Sequence, residues 1–276
     1  MDPNNEEPLA VVRASSWPSL FDCAYKWYWQ NLMGLRSPSG GAAALGTAVH
    51  AGTAAYDQQI LDGKFAQIID AVDVARDALA NPRDEVLWDD GLTPNEADAL
   101  AVKLTSRYCA EVAPTRTYTA VELQCTALDI ATQHGVVRVT GTTDRVRQLE
   151  DGRKGISDVK TGGRATEKTA TGGRRAVTKG HHIQLGIYTL MAEQASGERM
   201  EGPAEIIGLQ TTKDTPCATG EISDVKTPLL GDGKFPGLIE IAAGMLKSGV
   251  FPPNPKSMLC SAKYCPAHAS HCKYHD

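Results

Sequence analysis

Ile156-Ser157-Asp158-Val159-Lys160 reads as a β-strand that carries a carboxylate and an ammonium on one face. Side chains alternate along a strand, so Ile156, Asp158 and Lys160 share one side and Val159 takes the other. A second carboxylate, Asp144, lies in Gly141-Thr142-Thr143-Asp144-Arg145-Val146, on the strand before it. Two acids and a lysine on neighbouring strands can hold a divalent cation beside a positioned water, an arrangement suited to phosphodiester hydrolysis. The same triplet is also compatible with a plain cross-strand ion pair.

Around these strands the pattern is α/β. Ser16 and Pro18 start a helix over 16–33, and further helices are expected over 43–61, 65–80 and 93–108, with an acidic turn at 88–91. Strands follow over 118–128, 136–149 and 155–160, the first two joined at Gln133-His134-Gly135. A helix over 181–194, strands over 205–211 and 221–225, and a helix over 238–247 lead to Pro252-Pro253-Asn254-Pro255 and a cysteine-rich tail. Residues 1–276 are expected to form one domain: a helical part over 1–115, a core over 116–250 and the tail over 251–276.

Two further groups stand out. His50 sits in a small-residue helix, four residues after Gly46, where it is either a satisfied structural histidine or a ligand. Gln184 and Tyr188 are four residues apart, hence on one helix face, beside the apolar stripe of Ile183, Ile187, Leu190 and Met191.

In chain order, Gly46…His50, Gly141…Asp144, Asp158-Val159-Lys160 and Gln184…Tyr188 form the series G-x-x-x-H, G-x-x-D, D-x-K, Q-x-x-x-Y. This series resembles the PD-(D/E)XK nuclease superfamily, and within it the RecB-type exonuclease branch, which includes CRISPR-associated adaptation nucleases and many phage exonucleases. The resemblance implies a mixed sheet flanked by helices and a Mg²⁺- or Mn²⁺-dependent deoxyribonuclease. It assigns His50, Asp144, Asp158 and the Val159 carbonyl to the cation. Lys160 would act on the water or the developing charge, with Gln184 and Tyr188 orienting groups around it. Glu122 is either an acid beside this site or an ordinary strand residue. Exonuclease action in recombination, repair or end processing is expected. No G-x-x-x-x-G-K-S/T motif is present, so unwinding would need a helicase; a single-strand annealing protein is the other expected partner.

The seven cysteines are Cys23, Cys109, Cys125, Cys217, Cys260, Cys265 and Cys272. The acidic start of the chain does not read as a signal peptide, and no long apolar run would span a membrane. A reducing cytoplasm is therefore expected, where clustered cysteines suggest metal. Cys260, Cys265 and Cys272 need a fourth ligand. His268, His271 or His275 would complete a zinc site. The resemblance points instead to Cys23, which in the iron–sulfur branch of the family joins three late cysteines around a four-iron four-sulfur cluster and closes the tail on the first helix. The cysteine spacing here is wider than is usual in that branch, and both metals stay open.

A net charge of −5 excludes a global basic field, so DNA contacts must be local. The Gly/Thr-rich stretch 161–180 carries Arg164, Lys168, Arg174, Arg175 and Lys179 and is expected to be a mobile loop that meets phosphate. Two other classes remain: a catalytically inactive DNA-binding module, and a restriction-type endonuclease that would yield discrete fragments.

Overall fold

The structure, a computed structural model, describes residues 7–88 and 91–275. The acidic start (1–6) and Asp89-Asp90 of the acidic turn lie outside the described residues. A long hairpin organises the rest: β4 (Thr117–Thr132) pairs antiparallel with β5 (Gly135–Gln148) along nearly its whole length. The other edge of β5 is shared. Its first half pairs parallel with β1 (Ala10–Arg13) and its second half antiparallel with β6 (Lys154–Gly162). From β6 the sheet continues through β9 (Ala204–Gln210), parallel, to β10 (Cys217–Ile222), antiparallel, while β2 (Ser39–Gly40) and β3 (Val86–Leu87) pair apart from it.

Helices cover both faces, and the strand residues show why. Ile156 and Ile206 point into one apolar cluster, Val159, Ile207 and Leu209 into the other, as the period-two alternation of buried strands requires. The first cluster is closed by α1 (Trp17–Asp22), α2 (Ala24–Asn31), α6 (His182–Ser196), α7 (Lys226–Leu230) and α8 (Leu238–Ser248). The second is closed by α3 (Gly41–Leu61), α4 (Ile68–Ala80) and α5 (Pro94–Arg107). A side chain at Gly52 would meet the Ala71 carbonyl oxygen at 2.5 Å, so glycine is what lets α3 cross α4 closely. Thr93 and Glu96 form a reciprocal capping box at the start of α5. Among the described residues no helix is long and apolar enough to cross a membrane.

Four expectations are corrected. The helix over 16–33 divides at Cys23, which is extended (φ −144°, ψ 98°). That break exposes its sulfur to the tail: Asn254 N–H donates to Cys23 Sγ at 3.3 Å and Ser257 Oγ to Asp22 Oδ2 at 2.6 Å. Strand β1 was not expected, being four residues long and held by pairing with β5. The strand over 221–225 ends at Ile222 because Asp224 turns the chain, its Oδ1 accepting the amides of Lys226 and Thr227 at 3.1 and 3.0 Å. The stretch 161–180 is not a loose loop. It folds into a hairpin of β7 (Thr166–Lys168) and β8 (Arg174–Ala176) that lies against β9, where a side chain at Gly208 would strike the Ala165 carbonyl at 2.3 Å.

Candidate active site

His50 leaves α3 in its third turn. On the same helix face, Gly46 faces β6: a side chain there would come within 3.1 Å of Thr161 Oγ1. With helix and sheet this close, His50 Nδ1 reaches Asp144 Oδ2 at 3.2 Å. The same oxygen accepts the Val159 amide at 3.1 Å, which locks the Asp144 carboxylate between β5 and β6. Val159 thus contributes its N–H to the arrangement, besides the carbonyl that the resemblance assigns to the cation.

A third group completes the cluster. Ligand atoms of His50, Glu122 and Asp144 all lie within 4.8 Å of one another, the grouping that can hold a metal ion among the described residues. Glu122 is in β4, across from Asp144, between the pairs Val121–Arg145 and Leu123–Thr143. Its φ of +47° is left-handed, a conformation costly for a side chain larger than glycine and typical of functional positions. Burial of its carboxyl end, and next the charge of Asp144, raise its pKa, with Arg145 opposing. His50 and Glu122 open on a cleft of about 1360 Å³ whose walls include Thr47, Asn81 and Arg83.

Asp158 lies deeper, 1% exposed. Desolvation lifts its pKa to about 6, Lys160 pulling down and Asp144 pushing up. Lys160 Nζ lies 2.7 Å from Asp158 Oδ2 and pairs with the buried carboxylate. A buried acid with a raised pKa, beside a lysine and a second acid, is suited to a cation. On α6, Gln184 Nε2 donates to Tyr188 Oη at 3.1 Å, and both side chains are buried. Tyr188 packs over Gly141, where a side chain would sit 3.3 Å from its ring. Burial raises its phenol. His181, just before α6, was not expected here. Its Nδ1 is buried without a partner, and burial, then the Lys160 charge, depress its pKa to about 4.

A family model of the PD-(D/E)XK nuclease superfamily matches residues 14–273. The chain belongs to the PD-(D/E)XK nuclease superfamily. For this nuclease no curated protein matches. Among solved structures, a Eubacterium rectale protein that carries a provisional exonuclease name superposes with a TM-score of 0.53 at 14% identity, covering 92% of this chain and 87% of that one. SSO0001 superposes with a TM-score of 0.35 at 13% identity, covering 92% and 95%. The first of these likenesses supports the mixed sheet flanked by helices.

Other expected residues of the nuclease fall in two places. Cys23, Cys260, Cys265 and Cys272 line one cavity, together with His268. Among the described residues no three cysteine or histidine ligand atoms there approach within 4.8 Å of one another. Of the five cations on the hairpin, Arg174 Nη1 donates to Thr166 Oγ1 and Gln210 Oε1 at 2.6 and 3.1 Å, and Arg175 pairs with Glu167 at 2.8 Å. Arg164, Lys168 and Lys179 are exposed.

Proposed function

We propose that this nuclease is a Mg²⁺- or Mn²⁺-dependent deoxyribonuclease that degrades DNA from its ends. The observation that carries the reading is the convergence of His50, Glu122 and Asp144 within 4.8 Å, next to the buried Asp158–Lys160 pair. These donors fit a hard divalent cation: carboxylate oxygens and one imidazole, with no thiolate. His50, Glu122, Asp144, Asp158 and the Val159 carbonyl would hold it, with the Val159 amide fixing Asp144. When bound, such a cation supplies Lewis acidity to the scissile phosphate and the attacking water.

The chain's own groups do the rest. Lys160, held over Asp158, is placed to orient the water and to stabilise charge that develops on the phosphate. Gln184 and Tyr188 restrain one another and keep the α6 side of the site fixed. Arg83 offers a phosphate contact in the cleft, and Arg164, Lys168 and Lys179 offer further ones from the hairpin. Arg174 and Arg175 have internal partners and act first as braces of the hairpin.

The tail is read as a four-iron four-sulfur site on Cys23, Cys260, Cys265 and Cys272, within one domain over 1–276. Support for the cluster comes from the resemblance and from the four cysteines lining one cavity. One observation favours zinc: His268 Nδ1 is buried in the tail without a partner. We read the nuclease's place as the cytoplasm, with a helicase or an annealing protein beside it.

End-labelled linear DNA and closed circular DNA, each incubated with Mg²⁺, Mn²⁺ or chelator, test the reading. Progressive loss of linear DNA with the circle intact is expected. Discrete fragments or a linearised circle would establish an endonuclease, and DNA untouched in every metal would support the inactive binding module.

A further inference from the structure

Several cations of this acidic chain are already paired. Arg76, Arg116, Arg138, Arg145, Arg147, Arg153, Lys154 and Lys226 all bridge carboxylates. Lys103 and Lys213 are different. Both are exposed, and among the described residues neither ammonium has an ion-pair or hydrogen-bond partner. They come from separate elements, α5 and the turn between β9 and β10, yet they line the same two adjoining clefts.

The first of these clefts, about 1040 Å³, begins at the carboxyl ends of β6 and β9. Those strands are parallel and in register, Thr161 opposite Leu209 and Gly162 opposite Gln210, so their ends open together. Thr161 follows Lys160 directly, and the floor of Gly162 and Gly163 carries no side chain to block a backbone. Thr211 and Thr212 add hydroxyl donors. The second cleft, about 1120 Å³, carries the groove on along α5 past Ser106 and Arg107. Two acids also line the path. Glu96 is engaged by the amide and hydroxyl of Thr93, and Asp214 sits beside Lys213.

We propose that the groove between α5 and the β9–β10 turn is a phosphate track for one strand of the nucleic-acid substrate, with Lys103 and Lys213 as its opposed cationic walls. It is too long for a single ion, and its lysines, hydroxyls and bare backbone match a repeating phosphodiester and no particular base. The track starts one residue beyond Lys160 and lies on the other side of the first turns of α3 from the cleft that holds His50. On this reading a strand leaving the site beyond Lys160 would run along α5. This rests on the nuclease reading above.

The test is the salt dependence of binding to a labelled single-stranded oligonucleotide, by fluorescence anisotropy in chelator so that no cleavage occurs. Each lost phosphate contact lowers the slope of log K against log salt by about 0.7 for single strands. Lys103→Ser with Lys213→Ser is expected to weaken binding and lower the slope by about 1.4, Lys103→Arg with Lys213→Arg to restore it, and Lys247→Ser on α8 to change nothing. An unchanged slope in the double serine variant, or an equal loss in the Lys247 variant, overturns the track. If the wild-type protein also cleaves DNA with Mg²⁺ or Mn²⁺, only the track falls. A wild-type protein that neither binds nor cleaves removes both readings.

Discussion

Arg145 Nε lies 2.8 Å from Asp57 Oδ2 with both side chains fully buried, joining the helix that carries His50 to the strand that carries Asp144. Arg145 Nη2 also donates to Thr53 Oγ1 at 3.0 Å, and Tyr108 Oη donates to Asp57 Oδ2 at 2.5 Å. Burial pushes the Asp57 carboxyl up against the pull of Arg145. On the partner, burial opposes the charge, but Tyr108 and Asp57 outweigh it and keep the guanidinium protonated. Removing one member of such a pair leaves an uncompensated buried charge. Asp57→Ala is therefore expected to cost about 3–5 kcal/mol in urea unfolding. A loss below about 1 kcal/mol would show that the pair does not tie helix to sheet.

Asp158 sets a pH signature in the metal-free protein. Its folded pKa, about 6, lies above its ordinary value. The folded state therefore holds the proton longer than the unfolded state, and the contribution of Asp158 to stability falls as pH rises from about 4 to about 6. Asp158→Asn removes this loss. Relative to wild type, the variant should gain little at pH 4 and up to about 3 kcal/mol above pH 6, at about 1.36 kcal/mol per unit. A gain that does not grow with pH would place the carboxylate in a solvated setting.

Lys160 and Asp158 touch but have different tasks. Lys160→Ala is expected to lower cleavage at least ~100-fold, in the range of a lost transition-state donor, while Mn²⁺ binding persists. Asp158→Ala should lose both. Near-native cleavage by either variant would refute the assignment.

The fold and the site were legible to different depths. The strands that carry Asp144 and Asp158, and helix α6 with Gln184 and Tyr188, follow from periodicity and turn chemistry, which are local. Glu122 was legible only as one of two readings, an acid beside the site or an ordinary strand residue. Counting back from the β4–β5 turn, where Thr132 pairs with Gly135, sets Glu122 opposite Arg145; the register shift between Cys125 and Leu128 moves it opposite Asp144. A bulge of this kind leaves no periodic trace. The break at Cys23 was hidden as well, because its cause is the tail more than two hundred residues later. The hairpin over 166–176 looked loose because its order comes from Gly208 and Gln210 on a distant strand.

The tail makes a coloured or a colourless protein. With an iron–sulfur cluster on Cys23, Cys260, Cys265 and Cys272, anaerobically purified protein should be brown, and Cys23→Ser should bleach it as fully as Cys272→Ser. Both variants should lose stability more than catalytic rate, since cluster binding energy is folding energy. Colourless protein that releases one zinc, sensitive to His268→Ala and indifferent to Cys23→Ser, would establish the Cys3His alternative.

Calorimetric titration with Mn²⁺ of wild type, Glu122→Gln and Asp144→Asn, with DNA cleavage followed on the same samples, bears most directly on the metal site. Wild type is expected to bind Mn²⁺ and cleave, Glu122→Gln to bind about 10–100-fold more weakly, and Asp144→Asn to lose both binding and cleavage. Wild-type affinity and cleavage retained in Asp144→Asn would contradict a metal centre built on His50, Glu122 and Asp144.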